Sequence, residues 1–368
     1  MNLSKKSVKK KMNPFQLKKI LLIAFFLKSV SLFAQDDSLK NLTFSAYAEL
    51  YYSYDFAKPA NHEKPDFIYN HKRHNEINAN LILFKTNYSA TNLRANLGLM
   101  AGNYSRYNLS AEPGWARHLY EANFGVKLSK EQNLWLDAGI LPSHIGFESA
   151  ISADCWTLTR SILAENSPYY ETGIRLGYAT KKGNLNLAFL VLNGWQRIKK
   201  LNLIQKPSFG IQVNYKPSEK LLLNYSNFTG TDIQYNFNAL RTFHNLYMQF
   251  DMSKKIGMIV GFDMGSDKYN SIDYGIWYSP VLIMRYLASK QIKLAIRGEY
   301  YNDKNGIIIA TNNLYGLRVS GISGNVDYQI SKKLQFRIEG KVYHAGEREF
   351  SNNSSKNYSL TSNMVFKL

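Results

Sequence analysis

Apolar and polar residues alternate with a period of two along most of this chain. Leu334, Phe336, Ile338 and Val342 share one face of a segment whose other face carries Gln335, Arg337, Glu339 and Lys341. Likewise Ile292, Leu294, Ile296 and Tyr300 oppose Lys293, Arg297 and Glu299, and Thr172, Ile174, Leu176 and Tyr178 oppose Glu171 and Arg175. Successive side chains of a strand point to opposite faces, so each segment has one apolar and one ionised side. A soluble sandwich alternates too, but its strands are usually about five or six residues long and its polar face is built from smaller groups. Segments of roughly ten to thirteen residues with full charges on one face instead predict a transmembrane β-barrel, apolar side to lipid and charged side to a lumen.

About sixteen such segments are predicted: 43–56, 73–87, 92–104, 118–128, 134–141, 169–180, 184–196, 207–216, 220–231, 241–252, 255–266, 273–288, 291–302, 316–330, 333–345 and 357–368. The fold class is therefore all-β, an antiparallel barrel. The connections sort by length along the chain. Short turns near 89–92, 129–133, 180–184, 217–220, 252–255, 289–291 and 331–333 alternate with longer stretches at 57–72, 105–117, 142–168, 197–206, 232–240, 267–272, 303–315 and 346–356. Short periplasmic turns and longer external loops are the asymmetry expected of outer-membrane barrels.

The first 34 residues break the pattern. Lys5, Lys6, Lys9, Lys10, Lys11, Lys18 and Lys19 precede an apolar run from Ile20 to Leu27, and Ser31 to Ala34 lead into Gln35-Asp36-Asp37. That order predicts a secretory signal peptide over 1–34, with the barrel over 35–368. Eight residues of helix at about 1.5 Å each fall far short of a hydrocarbon core of about 30 Å, so this run is no membrane anchor. Eight of the 46 Lys and Arg and none of the 27 acids lie in this segment, which lowers the formal charge from +19 to +11. The remaining basic residues are scattered in turns, and export removes nucleic acid as a partner. After residue 34 no apolar stretch is long enough for a membrane helix. Cys155, the single cysteine, has no partner for an internal disulfide, so the fold must hold without one.

The chain closes on Tyr358, Leu360, Met364, Phe366 and Leu368 on one face. This resembles the signal read by the outer-membrane assembly machinery, with Leu where an aromatic residue usually stands.

The stretch 135–196 is the most distinctive. It holds Trp135-Leu136-Asp137-Ala138-Gly139-Ile140, Ser143 to Ser149, Thr159-Arg160-Ser161, Ser167 to Gly173 and Leu192-Asn193-Gly194-Trp195-Gln196. Together with Tyr47 to Tyr52 and Arg73-His74-Asn75-Glu76 it resembles the OmpL-like, porin-2 family of β-barrel porins. The resemblance implies an outer-membrane barrel with transport activity and no catalytic residues to carry over.

The connection 142–168 is long enough to be functional and holds Phe147, Trp156 and Ile162, so it is expected to fold, either into the lumen as a constriction or as an external cap. His144, Glu148, Trp156 and Arg160 are its candidate site residues. Glu76, Arg94, Arg175, Arg297, Glu299, Arg318, Arg337 and Glu339 are the candidate pore-lining charges, because Arg or Lys facing lipid at mid-bilayer costs about 2–4 kcal/mol. Such charges set ion preference, or pair to brace a closed wall.

His144 and Glu148 alone are too few ligands for a metal, and no cofactor motif is present. Ser143 beside His144 suggests the nucleophile and base of an outer-membrane lipase or protease, with Asp137 or Glu148 orienting the imidazole. Adjacent residues on an extended segment point to opposite faces, and no G-x-S-x-G elbow exists. The leading expectation is a non-enzymatic channel in the outer membrane of a Gram-negative bacterium. It would pass small polar solutes or ions, neutral or anionic by the basic excess, with lipid and lipopolysaccharide around it and homo-oligomers in prospect. A structural or adhesive barrel with a filled interior is the third reading.

Overall fold

Sixteen antiparallel strands close on themselves, each bonded to its neighbours in sequence and β1 to β16. They are β1 Leu42–Asp55, β2 Ile77–Ser89, β3 Leu93–Ala101, β4 Leu119–Lys127, β5 Asn133–Pro142, β6 Tyr170–Ala179, β7 Leu185–Leu192 and β8 Ser208–Ser218. There follow β9 Leu221–Thr231, β10 Leu240–Asp251, β11 Ile256–Lys268, β12 Tyr274–Leu287, β13 Ile292–Asp303, β14 Leu317–Gln329, β15 Leu334–Ala345 and β16 Lys356–Lys367. The structure is a computed structural model that describes residues 40–368 except 203, 232–239, 269–273, 312–313 and 351–352. The expected signal peptide over 1–34 lies outside the described residues, and Phe44–Leu368 form one compact unit.

The two faces of the wall invert the soluble pattern. Ile296 is 60% exposed while its neighbour Arg297 is 1% exposed. Along β15, Gln335, Arg337, Glu339, Lys341 and Tyr343 are buried, and Phe336 on the other face is exposed. Tyr358, Leu360, Met364 and Phe366 continue the apolar exterior on β16. Closure pairs every strand on both sides, which leaves no edge and removes the need for a disulfide; Cys155 is free and buried.

Short turns and long loops segregate to opposite ends. At the turn end, Ser253 Oγ accepts from the N–H groups of Lys255 and Ile256, and Ser289 Oγ accepts from those of Gln291 and Ile292. Serine closes these turns by standing in for a backbone acceptor. The loop end carries two short helices, α1 Asn103–Asn108 and α2 Ile162–Glu165.

Most strand limits fall within about two residues of the sequence expectation, and the ones that differ by more lie on β2, β3 and β7. β2 begins at Ile77, because Asn75 takes a positive φ of 57° and ends any extended run there. β3 stops at Ala101, where Gly102 at φ 118° starts α1, and β7 stops at Leu192 ahead of Gly194.

Candidate functional site

The segment 143–169, between β5 and β6, lies in the lumen and is bonded to its wall on several sides. It starts on β6, β8 and β9. His144 Nδ1 stands 2.7 Å from Glu171 Oε2 and its Nε2 stands 2.7 Å from the Asn227 carbonyl. Its own carbonyl accepts from Gln212 Nε2 at 2.7 Å and from Ser226 Oγ at 2.8 Å. Both ring nitrogens face oxygens, and against an ionised Glu171 both carry hydrogen, so this geometry favours the imidazolium. Burial opposes that charge, but the Glu171 carboxylate overcomes it and raises the His144 pKa.

Phe147 then crosses to β11, where a Cβ at Gly261 would come within 2.4 Å of its ring. Only glycine lets the loop approach the wall this closely. Trp156 lies under the Arg285 guanidinium at 4.0 Å. Ser152 bonds Tyr47 Oη at 3.0 Å, and Asn363 Nδ2 donates to Ser152 Oγ at 3.2 Å, which ties the loop to β1 and β16.

The densest contact is with β13–β15. Arg297 donates to Thr157 Oγ1 at 2.8 Å, to the Thr159 carbonyl at 2.7 Å and to Glu339 at 2.8 Å. Glu339 accepts from the Thr159 N–H at 2.6 Å, and Glu299 accepts from the Ile162 N–H at 2.6 Å. Arg337 donates to the Ser152 carbonyl at 2.6 Å while its Nε holds Asp327 at 2.6 Å. Lys341 Nζ donates to the Arg160 carbonyl at 2.9 Å, and Asn325 Oδ1 accepts from the Leu158 N–H at 3.0 Å. These charges are buried, which is tolerable because each finds an opposite charge and further hydrogen bonds.

Within the loop, Arg160 donates to the carbonyls of Ser149, Ala150 and Leu158, so it folds the segment on itself. Glu148 accepts from the N–H and hydroxyl of Ser161 and lies 3.6 Å from Arg297. Burial pushes its carboxyl up, with Arg297 opposing. The loop before β2 folds over this plug: Glu165 accepts from the N–H groups of Tyr69 and Asn70 at 3.0 and 3.1 Å, and Asn166 Nδ2 donates to the Phe67 carbonyl.

Arg297, Glu299, Arg337 and Glu339 bond the segment that carries His144, Glu148, Trp156 and Arg160, as clamp and clamped segment rather than as charges around open water. Of those four side chains Glu148 lies beside Arg297, while His144 sits on β6 and β9 and Trp156 on β12. Arg94 donates to both oxygens of Asp137 at 2.6 and 2.5 Å, and Arg175 stands 3.8 Å from the same carboxylate. Two expected pore-lining residues are corrected. Glu76 precedes β2 and is held by Arg73 at 2.9 Å, since the positive φ at Asn75 keeps this stretch out of the strand. Arg318 points outward at the loop end of β14, 3.5 Å from Glu347, because the inward positions there are taken by Leu317 and Val319. Asn325, Glu49, Asn363 and Glu171 also hold the loop, and Asp327 holds Arg337; the period of two marks their face, but nothing in the sequence marks their partners.

Two cavities lie along the β4–β6 side, and a third lies at the loop end, where Tyr170 meets Trp195, Arg241 and Ile308. A turn-side cavity of about 440 Å³ is lined by Arg94, Glu121, Asp137, His144 and Arg175. A smaller one of about 190 Å³ shares Pro142 and Ser143 with it and reaches Tyr169. A loop-side cavity of about 440 Å³ begins at Tyr170. Ser143 Oγ accepts from the Ile145 N–H, and both His144 ring nitrogens are taken by Glu171 and the Asn227 carbonyl, so the two side chains do not form a nucleophile and base. No cluster of three metal-ligating residues occurs among the described residues.

Residues 41–368 match the family described as "Putative beta-barrel porin-2, OmpL-like". The chain belongs to that family. It is thus a porin-like channel of the outer membrane. No curated protein matches the chain. Among solved structures it is similar to an anion-selective porin from Comamonas acidovorans, at 7% identity and TM-score 0.60, covering 89% of this chain and 99% of the other. The outer membrane channel DcaP of Acinetobacter baumannii gives 10% identity and TM-score 0.58, covering 89% and 97%. Outer-membrane expressed OmpT of Vibrio cholerae gives 9% identity and TM-score 0.56, covering 89% and 97%. Likeness at this level of identity concerns the fold.

Proposed function

We propose that the protein is a narrow, anion-preferring diffusion channel whose solutes pass beside the plug, along the β4–β6 side of the lumen. Arg175 carries this reading. In the turn-side cavity Arg94 is matched by Asp137 and Glu121 is matched by Lys85 at 2.6 Å, whereas Arg175 is a second cation on a carboxylate already held in two bonds. A surplus positive charge on a narrow aqueous path favours anions through its local field. Reversal potentials of the purified protein in planar bilayers under a potassium chloride gradient test the proposal. Anion preference should fall in Arg175→Gln. A cation preference in the unsubstituted protein, or no conductance at all, would overturn it.

Export by a cleaved signal over 1–34 of a Gram-negative precursor, insertion of 35–368 by the outer-membrane assembly machinery and contact of the external Lys residues with lipopolysaccharide belong to the same proposal. So does a homo-oligomer. An enzymatic reading loses its support with the Ser143 and His144 geometry, because both ring nitrogens of His144 are committed to Glu171 and Asn227.

A further inference from the structure

The loop-side cavity has a chemistry that plain diffusion does not require. Its lining combines the rings of Tyr69, Tyr107, Tyr170 and Trp195 with amide side chains and the guanidinium of Arg197, in about 440 Å³. Small organic ligands occupy cavities of about 300–1,000 Å³, so one or two sugar rings fit. Four rings around one space suit a ligand with an apolar C–H face, and interspersed amides suit one with hydroxyls at its edge.

The wall is fixed in advance. Tyr107 Oη donates to Glu63 at 2.7 Å and Tyr170 Oη donates to Glu112 at 3.1 Å, so neither ring is free to turn. Glu112 also accepts the N–H groups of Ile198 and Lys199 at 2.9 and 3.0 Å, which holds the segment that presents Arg197. Gln196 is clamped between the Tyr169 N–H and the Asn108 carbonyl. Two lining residues also keep a buried side-chain atom with no protein partner, Asn108 Nδ2 and Asn166 Oδ1, set behind the cavity surface. Asn166 is oriented by its own Nδ2, which donates to the Phe67 and Ile162 carbonyls, so the orphan atom is an acceptor.

The charges single out an acid. Glu165 is occupied by the N–H groups of Tyr69 and Asn70, and Arg241 is occupied by Asp267 in two bonds at 2.9 and 2.7 Å. Arg197 forms no ion pair among the described residues, and a planar guanidinium accepts a carboxylate through two parallel hydrogen bonds. We infer that this cavity is a binding site for an acidic sugar, a pyranose ring carrying a carboxylate, stacked on Trp195 and the tyrosines with its carboxylate at Arg197. The inference rests on the channel reading for its access route and names the solute class that the channel selects.

The test adds glucuronate or glucose to the loop side of the purified protein in bilayers and follows current block, with tryptophan fluorescence in detergent as a readout that needs no conductance. Glucuronate should block saturably, about tenfold more tightly than glucose, and Arg197→Gln should bring the two together. Trp195→Ala should weaken both, with Tyr69→Leu as the alternative if that variant does not fold. Trp115→Phe, outside the cavity lining, should change neither. No saturable response to glucuronate in either readout, or equal binding of the two sugars by the unsubstituted protein, would overturn the inference. Open channels with no sugar response in either readout would sink this inference alone, whereas a sugar-dependent fluorescence change without conductance would sink the channel reading and leave the site.

Discussion

Arg297 on β13 and Glu339 on β15 stand 2.8 Å apart across the intervening strand, and both also bond the backbone of Thr159. Arg297 registers with Ser323 of β14 and Glu339 with Asn325, two positions along, so the guanidinium reaches diagonally over Ser323, which is small enough to let it pass. The same ion pair therefore braces the wall and clamps the plug.

Removing the arginine leaves Glu339, Glu299 and Glu148 buried without their shared cation. Arg297→Met should destabilise the anchored loop by about 3–5 kcal/mol, the usual cost of breaking a buried pair from one side. Limited proteolysis should then cut within 143–169, and single-channel conductance should rise. Unchanged cleavage and conductance would show that the clamp is not what holds the loop.

Gly261 is the seat of the Phe147 ring. Gly261→Val places a side chain where a Cβ already meets the ring at 2.4 Å, and overpacking of this kind costs about 1–3 kcal/mol. The thermal unfolding midpoint should fall, and pairing the change with Phe147→Ala should recover part of the loss. A double variant no more stable than Gly261→Val alone would refute the contact.

The exterior should respond to depth. Ile296→Arg, near the middle of β13 on the exposed face, should cost about 2–4 kcal/mol in a folding titration into lipid, because the charge meets hydrocarbon. Ser320→Arg, toward the loop end of β14, should cost about 0–1 kcal/mol. Equal costs at the two positions would contradict the assignment of this face to lipid.

His144 makes the start of the plug sensitive to pH. Its folded pKa lies above the ordinary value of 6.5, so its contribution is fully present below 6.5 and is lost as pH rises through the raised value. Amide protection factors in 143–149, corrected for intrinsic exchange, should therefore fall from pH 6 toward alkaline pH. Glu171→Gln should remove most of that dependence, since burial would then act on the imidazolium unopposed. A profile that stabilises with rising pH would refute the charged state.

The alternation of residues along the best-patterned segments determined, from the sequence alone, which face of those strands is exposed and which meets the interior. A strand's faces follow from its own backbone, and in this barrel each strand pairs with its sequence neighbours, so the order of the wall is local information as well. The same pattern put Arg297, Glu299, Arg337 and Glu339 on the inner face. It failed at Glu76 and Arg318, near strand ends, where a positive φ or the last residues of a strand decide what is inside.

What the inner charges touch was decided only by the tertiary structure. Thr159 and Glu339 are 180 positions apart, and their contact exists because one loop turns inward and fills the lumen. Periodicity carries no record of such a meeting, since the loop has no repeat and its partners come from strands all around the barrel. Burial within the closed wall then makes the partners matter, because a buried ion must find its opposite or an N–H donor.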